Sequence, residues 1–249
     1  MWPSVHLPAT DIVISTYHLL HVVGWFAFLL VGLRLTLAWP ELRHHWWWLF
    51  IGMALSDTVG AHAFASVIRG GHGGGFWGAP LLIALWTGFY VVARRIRAYP
   101  MLDAFAIAFS VSQVFEKLAC LAAGCCFGRP TTSVLGVTLL ASRDDPTRRL
   151  PLPLCESSLH LLTAFGLTML YTHGLLKGRL VMVLGILFGI WRAIVESARP
   201  APNPSLLNGP ITITQMICVL SAVFGATYLI LDWAETRRKA RTRPEGNTT

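Results

Sequence analysis

With 249 residues, 54% of them hydrophobic and only 13% charged, the chain carries too little polar surface to stay soluble as a monomer. Its formal net charge of +8 would suit nucleic acid, but Arg237, Arg238, Lys239, Arg241 and Arg243 crowd a polar C-terminal tail and form no basic face. That placement belongs to a helix end beside anionic lipid, so no nucleic-acid partner is expected. The cysteine count of 5 is odd, which argues against a disulfide framework.

A spanning helix needs about 20 mostly apolar residues, whereas membrane strands alternate with a polar lumen face. The apolar runs here are continuous, and the spacing predicts seven spanning helices over residues 12–33, 46–67, 76–93, 102–121, 156–173, 180–198 and 211–231. The expected fold is therefore an all-α integral membrane domain over residues 1–235, followed by a disordered basic tail at 236–249. No basic residue precedes Arg34, so a cleaved leader is not expected and the first span is expected to be retained. With the N-terminus outside, Arg34, Arg43, Arg94, Arg95, Arg97, Lys177, Arg179 and the tail all fall inside, outnumbering the basic residues of the outer loops. The positive-inside rule thus favours N-out, C-in. The longest break between spans, residues 124–155, becomes an outer-face excursion.

Span one places Tyr17 toward the outer face. Between spans two and three lies Arg69-Gly-Gly-His72-Gly-Gly-Gly75. Its glycines allow a close backbone approach to a phosphate, and His72 can accept a proton near neutral pH; a flexible connector is the plainer alternative. Asp57, halfway along span two, finds no partner in the sequence.

Span four carries Glu116, Lys117 and Cys120 before breaking at Gly124-Cys125-Cys126. An intramembrane charge costs roughly 2.5 to 3.5 kcal/mol on insertion scales, which marks Glu116 and Lys117 as functional candidates. Gln113, Lys117, Cys120 and Gly124 fall on one helical stripe. Lys117 can hold a lipid phosphate as a point charge; structural pairing with another helix remains the alternative, and buried thiols are ordinarily inert packing. Span five opens on Cys155-Glu156. Span six ends in Arg192-Ala-Ile-Val-Glu196, where the two charges share a face: the guanidinium either grips a phosphate bidentately or is neutralised by the glutamate. Lys117, Cys120, Glu156, Arg192 and Glu196 all converge at one depth in the outer half. Adjacent Cys125 and Cys126 do not match structural zinc spacing, and neither a metal site nor a cofactor is expected.

The order of glycine-rich loop, DAFAIAFSVSQVFEKLACLAAGCCFGRPT, PLPLCE, GIWRAIVESARP and ITITQ resembles the bacterial prolipoprotein diacylglyceryl transferase family across nearly the whole chain. The resemblance implies a seven-span inner-membrane enzyme with its N-terminus outside and its site opening to the periplasm. It implies transfer of the diacylglyceryl group of phosphatidylglycerol, or a similar anionic glycerophospholipid, to a thiol, that of a prolipoprotein lipobox cysteine, with release of glycerol phosphate. His72 would act as base, Lys117 and Arg192 would hold the phosphate with Arg129 at the outer edge, and Glu156 and Glu196 would orient the cations. Tyr17, Cys120, Cys125 and Gly128 would line the substrate site. Where the family carries an arginine, an asparagine and a glutamate, this chain has Lys117, Cys120 and Cys125. Those exchanges leave open another thiol acceptor, or a thiol-based redox or metal-binding protein on the same fold.

Overall fold

The computed structural model describes residues 4–6, 13–68, 78–96, 98–138, 147–199 and 211–242. Seven α-helices lie among them: α1 (Thr16–Leu35), α2 (Pro40–Ile68), α3 (Gly78–Ala93), α4 (Ala98–Ala123), α5 (Leu152–Thr172), α6 (Leu180–Ser197) and α7 (Ile213–Thr242). Each expected span coincides with one of these helices. Four stretches, Thr16–Ala38, Tyr99–Ala123, Leu180–Ser197 and Ile213–Lys239, are long and apolar enough to cross a membrane. The other three helices differ for visible reasons. Helix α3 has 16 residues, about 24 Å of rise; α2 carries Glu41, Arg43 and Asp57; and α5 opens with Cys155, Glu156, two serines and His160.

Helix α4 is the hub, packing on α1, α5 and α6, while α2 pairs with α3 and α6 with α7. The α1–α2–α4 core gathers Phe28, Trp46, Leu49, Met53, Met101 and Ala104, with the Phe28 and Trp46 rings stacked at 5.2 Å. A second core joins Ala106 and Ile107 to Leu167, Leu180 and Leu184. The outward faces stay apolar: Phe26, Phe89, Leu162, Phe165, Ile194 and Phe224 are each more than half exposed. Such surface demands an apolar surrounding, and the chain is an all-α membrane protein.

Local chemistry fixes the helix ends. At the start of α7, the Thr212 amide donates to Gln215 Oε1 at 3.0 Å and the Gln215 amide to Thr212 Oγ1 at 3.1 Å, a reciprocal capping box. Gln215 Nε2 also reaches Ser197 Oγ at 2.9 Å, tying α7 to the end of α6. The same two helices approach closely where a Cβ on Gly189 would meet the Cys218 carbonyl at 2.4 Å, the small-residue packing used between membrane helices. Asp103, buried near the start of α4, accepts from the amides of Gly178 at 2.5 Å and Leu180 at 2.9 Å, capping α6 from across the bundle.

Two antiparallel ribbons complete the described chain: β1 (Ser4–His6) with β2 (Val13–Ser15), and β3 (Val137–Thr138) with β4 (Arg148–Arg149). The second ribbon lies within the 124–155 segment. Thr131 N donates to Arg148 O at 2.8 Å, Gly128 N to Leu150 O at 2.8 Å and Arg129 N to Ala198 O at 2.9 Å, so the described parts of this segment are sewn to each other and to the end of α6. The tail also differs from expectation. Helix α7 continues through residues 236–242, with Glu235 and Lys239 paired one turn apart at 2.6 Å, because charged helix formers follow Trp233 without a breaker. Residues 243–249 lie outside the described residues.

Candidate active site

Helices α4, α5 and α6 bring five charges together. Lys117 Nζ lies 2.5 Å from Glu156 Oε2, and Arg199 reaches the other oxygen of Glu156 at 2.7 Å. Arg199 Nε stands 3.3 Å from Glu196 Oε2, which also receives Arg192 at 2.7 Å. The result is a continuous relay, Lys117–Glu156–Arg199–Glu196–Arg192. Its carboxylates are sealed, with side-chain exposures of 1% for Glu156 and 0% for Glu196. Three cations against two carboxylates leave one positive charge in excess. Arg199, just past α6, is opposed by its own burial, yet Glu156 and Glu196 outweigh that and hold its guanidinium above the ordinary value.

Sequence reasoning carried Arg199 only inside the GIWRAIVESARP string and gave it no role. The signal was present in Glu196-x-x-Arg199, an i, i+3 pair on the last turn of a helix. His160 was likewise passed over. It lies one turn from Glu156 on α5, fully buried, with its ring 4.8 Å from Trp191 and neither nitrogen hydrogen bonded among the described residues.

A second cluster involves α1, α2 and α4. His21 Nδ1 contacts Glu116 Oε2 at 2.8 Å and His21 Nε2 lies 3.8 Å from Asp57 Oδ2, so Asp57, for which the sequence offered no neighbour, stands beside this pair. The Trp25 indole donates to His21 Nε2 at 3.3 Å; an indole only donates, so the imidazole proton sits on Nδ1, toward Glu116. Tyr17 stacks on His21 with 6.0 Å between ring centres.

The other expected site residues divide. Cys120 is half-buried and Cys125 and Cys126 are exposed at the end of α4. Arg129 is exposed, its Nε donating to the Arg199 carbonyl at 3.2 Å, so it stands at the rim. Gly128 is buried, and a Cβ there would meet Leu150 Cβ at 2.7 Å and Leu152 Cγ at 3.0 Å. The glycine lets the segment dock against β4 and α6, which positions Arg129 and Arg199 without reaching into the site. Replacing Gly128 by alanine is expected to lower the melting midpoint, measured on purified protein in detergent. His72 lies outside the described residues. A cleft of about 490 Å³ lined by Leu176, Arg179, Asp232 and Trp233 lies at the other end of α6, away from this chemistry.

A family model for prolipoprotein diacylglyceryl transferase matches residues 5–231. The chain belongs to that family. It is 28% identical over 166 residues to the phosphatidylglycerol–prolipoprotein diacylglyceryl transferase of Clostridium tetani, covering 65% of each chain. It is 27% identical over 164 residues to the Clostridium perfringens protein named phosphatidylglycerol–prolipoprotein diacylglyceryl transferase 2, covering 64% of this chain and 63% of that one. To the Anaplasma marginale phosphatidylglycerol–prolipoprotein diacylglyceryl transferase it is 33% identical over 145 residues, 55% of this chain and 50% of the relative. The chain thus spans under two thirds of the length of these curated relatives.

Proposed function

We propose that this chain is a bacterial cytoplasmic-membrane enzyme that transfers the diacylglyceryl group of phosphatidylglycerol, or a similar anionic glycerophospholipid, to a thiol acceptor. The first candidate acceptor is the lipobox cysteine of a prolipoprotein. All seven helices cross the bilayer in this reading, the N-terminus is outside, and the site opens toward the periplasm. What carries the reading is the excess positive charge of the Lys117–Glu156–Arg199–Glu196–Arg192 relay, set among apolar helices in a chain of this family.

The acceptor sulfur attacks the glycerol carbon that bears the phosphate ester. A sulfur–carbon bond forms, the carbon–oxygen bond breaks, and glycerol phosphate leaves with the bonding pair. Arg192 offers the leaving phosphate a planar fork and Lys117 a point charge. Because Glu156 and Glu196 hold these cations by direct contact, an incoming phosphate competes with carboxylates already in place and finds the donors oriented. Arg129 guides the headgroup at the rim, and Tyr17, Cys120 and Cys125 flank the acceptor side. No cofactor is required, since the leaving group departs as a phosphate monoester.

The thiol must lose its proton, because the thiolate is the nucleophile. His72 is the assigned base. His21 is less suited, since one ring nitrogen donates to Glu116 and the other accepts from Trp25. His72→Asn is expected to lower turnover by about a hundredfold or more with phospholipid affinity unchanged. His21→Asn is expected to fall well short of that loss. The reverse order would move the base to His21.

Expression in a strain depleted of its own transferase tests the acceptor, with lipoprotein maturation as the expected result. Failure there, with a thioether formed from phosphatidylglycerol and a small thiol in vitro, would shift the acceptor and keep the reaction. Absence of any thioether product would overturn the reading.

A further inference from the structure

The turn that ends α4 does more than stop a helix. Gly124 adopts a left-handed φ of 74°, its amide donates to Leu121 O at 3.2 Å, and the Cys125 amide reaches back to Cys120 O at 3.0 Å. This paired pattern is a Schellman cap, in which the second residue past the helix packs its side chain against the residue five positions earlier. In most proteins that contact is between two apolar groups. Here both are thiols, Cys120 and Cys125. Cys126 then takes a left-handed φ of 62°, uncommon for a residue with a Cβ, and turns a third sulfur onto the first two. The three Sγ atoms all lie within 4.8 Å of one another.

We propose that Cys120, Cys125 and Cys126 form a binding site for one soft, thiophilic metal ion of low coordination number, with Cu(I) as the type case. Thiolate sulfur selects soft ions. Metal–sulfur bonds of about 2.3 Å in a trigonal plane hold the sulfurs about 4.0 Å apart, so the three atoms need to draw in by less than an ångström. Among the described residues no fourth histidine, cysteine or carboxylate joins the group, which favours a trigonal ion over tetrahedral zinc. Three thiolates around a univalent ion carry two negative charges. Uptake displaces the thiol protons to solvent and changes no oxidation state. Cys155 and Cys218 stand outside the group.

The site shares Cys120 and Cys125 with the acceptor side of the transfer reading, but loading is measured without lipid, so the two succeed or fail separately. The full chain, purified in detergent under reductant and anaerobic conditions, is titrated with Cu(I) against a competing chelator, and separately with Zn(II). One Cu(I) per chain is expected, bound more tightly than Zn(II). The Cys125→Ser, Cys126→Ser double variant is expected to weaken Cu(I) binding by at least about a hundredfold. The Cys155→Ser, Cys218→Ser variant is expected to stay within about twofold of the parent. A measurement on the unaltered chain covers the chance that a variant misfolds. Mass spectrometry after alkylation should show Cu(I) shielding Cys120, Cys125 and Cys126 while Cys155 reacts as before. Equal labelling of the three with and without Cu(I), or Cu(I) uptake unchanged in the Cys125→Ser, Cys126→Ser chain, would overturn the proposal.

Discussion

Arg192→Ala is expected to lower diacylglyceryl transfer by about a hundred- to a thousandfold, the loss seen when one preorganised donor to a developing anion is removed. The guanidinium is 4% exposed and bonds Glu196 at 2.7 Å. Its removal deletes the forked donor and leaves Glu196 facing Arg199 without its second cation. Arg192→Lys should fall between, keeping the charge and losing the bidentate geometry. The measurement is turnover of labelled phosphatidylglycerol in detergent, with gel filtration confirming a folded chain. Unchanged turnover in Arg192→Ala would remove this residue from the site.

Glu156→Gln is expected to be the most damaging isosteric change for stability. Glu156 receives Lys117 on one oxygen and Arg199 on the other, and its side chain is 1% exposed. Neutralising it strands Lys117 among apolar helices and leaves Arg199 only its longer contact to Glu196 at 3.3 Å, a defect of the kind that costs about 3 to 5 kcal/mol when one partner of a buried pair is lost. The melting midpoint should fall sharply, whereas Glu41→Gln, at an exposed position on the first turn of α2, should leave it almost unchanged. Adding Lys117→Met to Glu156→Gln should recover part of the loss, because one stranded charge goes with it. Strict additivity of the two changes would show that Lys117 and Glu156 are not coupled.

Much of the candidate site was legible in the chain. Intramembrane charges are expensive, so Lys117, Glu156, Arg192 and Glu196 identify themselves by standing in apolar runs. Their partners were not legible. Arg192 with Glu196 follows from helical spacing, but Lys117 with Glu156 joins α4 to α5 across 39 positions, and Asp57 meets His21 only because α1 and α2 pack side by side. Local patterns report one helix at a time; a pairing between helices depends on how their faces are rotated. The ITITQ motif was weak as a string and becomes specific once Thr212 and Gln215 are seen to cap α7 and hold it to Ser197.

The amino-acid order by itself determined that the chain is helical and belongs in a membrane, because continuous apolar runs can satisfy their backbone only within each helix. It also determined which ionisable groups are out of place there. The tertiary structure alone decided that five charges from α4, α5 and the α6 end join in one relay with one positive charge over. It alone decided that a helix cap gathers three thiols beside that relay. Charge balance and metal geometry are properties of distances between groups remote in sequence, and only packed helices set those distances.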